Sequence, residues 1–311
     1  MSKEVNDMKK IVRPIVVATM LLGLVSQQVY AIDTTAINEK WGKPTVVYGG
    51  GLNNQQIKET SKLLGIKDEN TVTTTKATGE DLVKYLGAGE ANTSVMISSV
   101  MVQKRNKGEG VKVHIATPKN ITLVTSEQYA NAAITAGVAD AEIEVAAVSK
   151  VTGESALTGV YKAFEANGVV LDGKRTAVAQ KELELTNQIA QEQAKEKGFD
   201  AAKLDQAMID IKKALAEIKE KQGQVATKED VERIVNEALK KYGLDKVISP
   251  TQVNNIIQFA LSYQQTSAID SKQVLEQLNS LSNTVKGKIG QLVDQANREG
   301  WFDKIVTFFK E

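Results

Sequence analysis

The stretch ITLVTSEQYANAAITAGVADAEIEVAAVSKVTGESALTGVYKAFEANG, residues 121–168, decides the fold class. It reads as helix, strand, helix. Thr125-Ser126-Glu127-Gln128 fits a capping box, in which hydroxyl and side-chain amide satisfy the amides a first turn leaves free. Tyr129, Ala133 and Ala136 follow on one helical face, and Gly137 ends the helix. In residues 141–148, Ile143 and Val145 alternate with Glu142 and Glu144, the period of a strand with one face covered. Thr152-Gly153-Glu154-Ser155 then turns into a second helix, which carries Leu157, Val160, Tyr161 and Phe164 inward and stops at Asn167-Gly168. The many alanines let helices lie close on a sheet.

Working outward toward the N-terminus, Thr45-Val46-Val47-Tyr48 reads as a strand. Gly49-Gly50-Gly51 turns into a helix capped by Asn53 and ended by Gly65. Residues 71–75 form a second, β-branched strand, and residues 80–86 a short helix. Residues 94–103 and 111–115 read as two strands of a hairpin joined by a polar loop. From Leu171 onward strand patterns disappear. Helices are expected over residues 175–197 and 200–221. The second carries the seam Leu204, Met208, Ile211, Leu215 and Ile218. Thr227 opens another, Ser249-Pro250-Thr251-Gln252 a fourth, and Asp270 a fifth that runs through Leu292, weakened by Gly287 and Gly290. The expected architecture is an α/β (or α+β) N-terminal domain with a mixed sheet, residues 44–170, followed by an all-α helical domain, residues 171–311.

The 311 residues carry a net charge of +1, no cysteine and a single histidine, His114. Disulfides, thiolate metal sites and cysteine nucleophiles are excluded. A nucleic-acid binder would need a basic excess that is absent. Residues 1–31 read as an export signal. Lys9, Lys10 and Arg13 precede the apolar run PIVVATMLLGLV, residues 14–25, which is shorter than a membrane span of ~20 residues. Cleavage is expected after Ala31. Met1 and Met8 both fit as the start. Removing the leader takes away a surplus of two positive charges and leaves −1.

The motifs Asn120-Ile121, Val124-Thr125, Tyr129-Ala130-Asn131-Ala132, Thr135-Ala136-Gly137, Val151-Thr152-Gly153 and Ala156-Leu157-Thr158-Gly159 resemble the domain-of-unknown-function 1002 family, YpuA-like secreted proteins of Gram-positive bacteria. Tyr85-Leu86-Gly87, Ser98-Ser99-Val100, the helical region and the aromatic tail resemble it too. One departure is at Lys150: the family often has a proline near this position, before the Val-Thr-Gly turn. The resemblance implies export and an envelope setting, and it supplies no catalytic residues.

Candidate sites are few. Gly49-Gly50-Gly51 has the place of a phosphate-cradling loop but lacks the Gly-Lys-Ser/Thr of one, so a tight turn is the better reading. Thr152, Gly153, Glu154 and Ser155 form a turn whose hydroxyls and amides suit a small anion or polymer carboxylate. Glu154 repels such a ligand and equally serves the helix start. Glu142 and Glu144 point the same way from one strand and read as a solvated face rather than a catalytic pair. His114 reads as a partly exposed strand residue, and Ser98 and Ser99 have no base in view. Trp301, Phe302, Ile305, Phe308 and Phe309 form a short amphipathic segment for docking on the helical domain or for membrane or partner contact. No catalytic residue, metal site or cofactor is expected. The leading expectation is a non-catalytic binding protein, its partner a cell-wall polymer or an envelope protein. The alternatives are an envelope hydrolase with a site between the domains, and a membrane-peripheral protein held by its tail. With no wall-sorting motif, the protein is expected to be secreted or held non-covalently at the surface.

Overall fold

The computed structural model describes residue 32, residues 41–87 and residues 89–289. The expected leader, Leu292, Gly290 and the aromatic segment with Trp301, Phe302, Phe308 and Phe309 lie outside them. The N-terminal half holds a mixed five-stranded sheet: β1 (Thr45–Gly49), β2 (Thr73–Ala77), β3 (Ser99–Lys104), β4 (Val111–Ile115) and β5 (Ala141–Ala146), in the order β2-β1-β3-β5-β4. β3 runs antiparallel to β1 and β5, whereas β2 pairs with β1 and β4 with β5 in parallel. Parallel neighbours need a crossover, which α1 (Asn54–Leu63) supplies between β1 and β2. α2 (Gly79–Leu86) follows β2, α3 (Ser126–Ala136) links β4 to β5, and α4 (Ser155–Ala166) leaves the sheet. The helical half comprises α5 (Gly173–Gln193), α6 (Ala201–Gln222), α7 (Lys228–Lys241), α8 (Pro250–Tyr263) and α9 (Lys272–Ile289).

Capping boxes at Asn53, Thr125 and Ser249 start α1, α3 and α8 where the sequence places them. The seam Leu204, Met208, Ile211, Leu215 and Ile218 is buried, as are Val231, Ile234, Val235, Ala238 and Leu239 of α7. α9 differs at its start: the amide of Val274 donates to the Ser271 hydroxyl at 3.2 Å, so Ser271 rather than Asp270 caps it.

Three further expectations are corrected. Residues 94–103 are not one strand, because Thr93–Val95 form a 3-10 turn and β3 begins at Ser99. β3 and β4 are not a hairpin, because β5 lies between them. Asp140 holds the intervening loop: its Oδ1 accepts from the amides of Gly108 at 3.0 Å and Gly110 at 3.1 Å, while its carbonyl accepts from that of Arg105. Nor is α3 buried on one face alone. Every residue from Glu127 to Ala136 is buried, because α3 packs on β4 on one side and on α5, α6 and α9 on the others. Small residues, Ala130, Ala132, Ala133 and Ala136, let its neighbours approach closely, and the buried polar side chains Asn131 and Thr135 are hydrogen-bonded rather than solvated. The apolar core consequently continues from the sheet into the helices across residue 171.

Polar groups cross the same junction. Lys212 of α6 is fully buried, and its Nζ donates to Glu182 Oε1 at 2.7 Å, Asn131 Oδ1 at 2.5 Å and Thr135 Oγ1 at 2.9 Å. One ammonium thus ties α3, α5 and α6. Nearby, Asp205 accepts from the Thr125 hydroxyl through Oδ2 at 3.2 Å, while its buried Oδ1 has no partner among the described residues. Burial, and then the charge of Glu127, push its carboxyl well above the usual range. A carboxyl raised in this way stabilises the fold below its unfolded pKa of ~3.9. That contribution is lost as pH climbs toward the folded value. Asp205→Asn should therefore leave stability near wild type at pH 4 and raise it by about 1–3 kcal/mol at pH 8. Urea midpoints measured across that range test it, and equal slopes for the two proteins would refute it.

Candidate functional site

The glycine loop after β1 is a structural turn. The Gly50 amide donates to Ala77 O at 2.8 Å and that of Gly51 to Met96 O at 3.0 Å, so neither is free for an anion. A Cβ on Gly49 would stand 2.2 Å from the Met96 carbonyl oxygen, so the loop is glycine because backbone lies against it. Ser99 is buried, and its hydroxyl accepts from the Gly49 amide at 3.0 Å. Ser98 is buried as well.

The Thr152–Ser155 turn is likewise tied down. Tyr129 Oη donates to the Gly153 carbonyl at 2.6 Å, and Asn187 Nδ2 donates to Glu154 Oε1 at 2.7 Å. Glu154 is the N-cap of α4 but makes no side-chain cap bond. Thr152 is exposed, Gly153 is buried, and Glu154 and Ser155 are intermediate. The turn joins α3, α4 and α5, with its Gly153 carbonyl and Glu154 carboxylate taken by the protein's own side chains.

The sheet brings together residues that sequence spacing left apart. The cross-strand register sets Met101 beside Glu144 and Glu144 beside His114. His114 Nδ1 lies 2.9 Å from Glu144 Oε2. Glu144 is 2% exposed, which corrects the reading of it as solvated. Its alternation with Ile143 and Val145 does not mark an uncovered face, because both faces of β5 are covered at that point. Burial raises the Glu144 carboxyl, His114 draws it back down, and Glu142 adds to the rise. Glu142 keeps a partly exposed carboxylate 3.3 Å from Arg105 Nη1. Arg105 also donates through Nε to Glu109 at 3.1 Å.

Around these groups, at the β4 edge of the sheet, lies a cavity of about 430 Å³ lined by Arg105, Lys112, Val113, His114 and Glu142. Lys112 is exposed and makes no ion pair among the described residues. Glu144, from behind, fixes the imidazole through Nδ1, leaving Nε2 without a partner among those residues. Such a constellation can hold an acceptor-rich or anionic group. An imidazole held by a carboxylate is also the arrangement of a general base. A second cavity, about 320 Å³, lies between α5 and α8 and is lined in part by Val178, Leu185 and Phe259. Lys112 and Arg105 were not singled out by the sequence. Pairing β4 with β3 hid them, and the strand-helix-strand order of residues 111–146, which suits a parallel pair, was the available signal.

Among the described residues no cluster of three or more histidines, aspartates or glutamates could hold a metal, and no helix is long and apolar enough to cross a membrane. The chain is 29% identical over 277 residues to "Uncharacterized protein YpuA" of Bacillus subtilis (strain 168), covering 86% of each. No solved structure matches it. The family model for a protein of unknown function, DUF1002, matches residues 48–281, through the sheet, the buried α3 and most of the helices, and the chain belongs to that family.

Proposed function

We propose that the protein is an exported component of the cell envelope that binds a partner, without transforming it, through the cavity at the β4 edge. The observation that carries this reading is Lys112. It is an exposed cation that makes no ion pair among the described residues, placed beside Arg105, Glu142 and an imidazole fixed by Glu144. The partner is a cell-wall polymer or an envelope protein bearing negative charge. Export is supported by the basic and apolar leader of residues 1–31. Ile32, the first residue after the expected cleavage, is already packed with Val46, Tyr48 and Ala146. The mature protein is secreted or held at the surface, and N-terminal sequencing of surface and medium fractions should return Ile32.

Retention of the mature chain on purified envelope gives the direct test. Lys112→Glu should lower the retained affinity at least about tenfold, roughly 1.4 kcal/mol, with an unchanged melting temperature. Retention equal to wild type would refute the reading. The His114–Glu144 pair favours a second reading, an envelope hydrolase with His114 as base. Release of wall fragments by wild type, abolished in folded His114→Gln, would establish it. A tail-anchored protein is separable from both: deletion of residues 301–311 followed by cell fractionation decides it.

A further inference from the structure

β4 pairs with β5 on one side, and among the described residues no strand pairs with its other side. In a parallel ladder alternate residues turn both N–H and C=O toward the neighbour, and those between turn both away. Ala141 donates its amide to Gly110 O, and Ala116 donates its amide to Val145 O, so the even-numbered residues of this segment face β5. Val113 and Ile115 therefore direct their main-chain groups to the open edge, where no partner lies among the described residues. Val113 itself lines the cavity.

The two flanks of this edge differ in chemistry. Val113 and Ile115 lie partly exposed on the flank that carries the main core. Lys112 and His114 lie on the other. Glu142 and Glu109 share Arg105, so the charges of that flank nearly balance, and Glu144 is buried under His114. The side chains that an incoming strand would meet first are nonetheless Lys112 and His114, because Glu142 and Glu144 stand one strand further in. An exposed edge of this kind is a template for an incoming strand unless it is blocked. Lysine on the edge discourages a second copy, whose own Lys112 would approach it, and favours an acidic strand.

We propose that β4 accepts an extended segment of another polypeptide as a sixth strand, with acidic residues facing Lys112 and His114 and apolar residues facing Val113 and Ile115. Main-chain hydrogen bonds would supply affinity and the alternating flanks specificity. The proposal rests on the binding reading above and narrows its partner to a protein.

The test uses the mature chain and a labelled decapeptide alternating glutamate and valine. Controls are a lysine-valine decapeptide and a glutamate-valine decapeptide N-methylated on one edge. The acidic peptide should bind, the basic one should not, and N-methylation should weaken binding by about tenfold or more. Hydrogen exchange at the Val113 and Ile115 amides should slow on binding. Val113→Pro removes an outward donor at an edge position that tolerates proline. It should leave the melting temperature within a few degrees of wild type and abolish peptide binding. Should that variant unfold, the N-methylated peptide and the exchange data decide alone. Equal binding of the N-methylated peptide, or unchanged exchange at those amides, would overturn strand addition. So would a concentration-dependent dimer of the chain that Val113→Pro dissolves. If Lys112→Glu abolishes envelope retention and Val113→Pro leaves it intact, strand addition fails and the binding reading stands. If neither variant changes retention, both fail.

Discussion

Lys212→Ala should destabilise the mature protein by about 3–5 kcal/mol, the cost typical of removing one partner of a buried ion pair. The substitution strips Glu182 of its ammonium in a site where both side chains are essentially inaccessible. It also leaves Asn131 Oδ1 and Thr135 Oγ1 without their shared donor, and those groups belong to the helix against the sheet. Burial presses Glu182 up and Lys212 down in pKa, each opposed by the other's charge, so the pair is stable only as a pair. Lys212→Met combined with Glu182→Leu should regain most of the loss, because apolar replacement removes both desolvation costs at once. Urea denaturation followed by circular dichroism measures all three proteins. A single-variant loss below about 1 kcal/mol, the range of exposed pairs, would show that water reaches the site.

Gly153→Ala should cost about 2–4 kcal/mol, from a left-handed backbone together with overpacking. Gly153 has φ +98°, and a Cβ there would lie 2.4 Å from Tyr129 Oη and 2.8 Å from Ile121 Cγ2. The tyrosine cannot simply retreat, since its hydroxyl donates to the carbonyl of the same glycine. The obstruction and the bond share one atom, so the two residues should couple. In a Tyr129→Phe background the further cost of Gly153→Ala should shrink by about 1 kcal/mol or more, and a double-mutant cycle reads that coupling. Additive losses would mean that Ile121, not Tyr129, sets the constraint. The prediction also separates two readings of the turn: a ligand-binding loop would lose ligand with little loss of stability, whereas this one should lose stability.

The helical half was legible because its signals are local. Thr227, Ser249 and Pro250 stand at helix starts, and Val231, Ile234, Val235, Ala238 and Leu239 recur at helical spacing. The strands were legible as segments but not as partners. A polar loop between two β-branched runs reads as a hairpin, yet Asp140, some thirty residues on, gathers that loop and seats β5 between the two strands. That error of pairing concealed the candidate site, because His114 meets Glu144 only when β4 lies beside β5. The glycine loop and the Thr152–Ser155 turn attract attention for their composition, and that composition serves close packing. The residues that line the cavity, Arg105 just after β3 and otherwise ordinary strand residues, matter by their position.

By itself the sequence determined an α/β half with a mixed sheet, a helical half and the caps that start four of their helices, Asn53, Thr125, Thr227 and Ser249. Each follows from interactions within a few residues, which spacing alone reveals. The tertiary structure decided the strand order, the burial of Glu144, Lys212 and Asp205, and the open edge of β4. These depend on which distant segments exclude water from one another, and hydrophobic periodicity reports that a face is covered without naming what covers it.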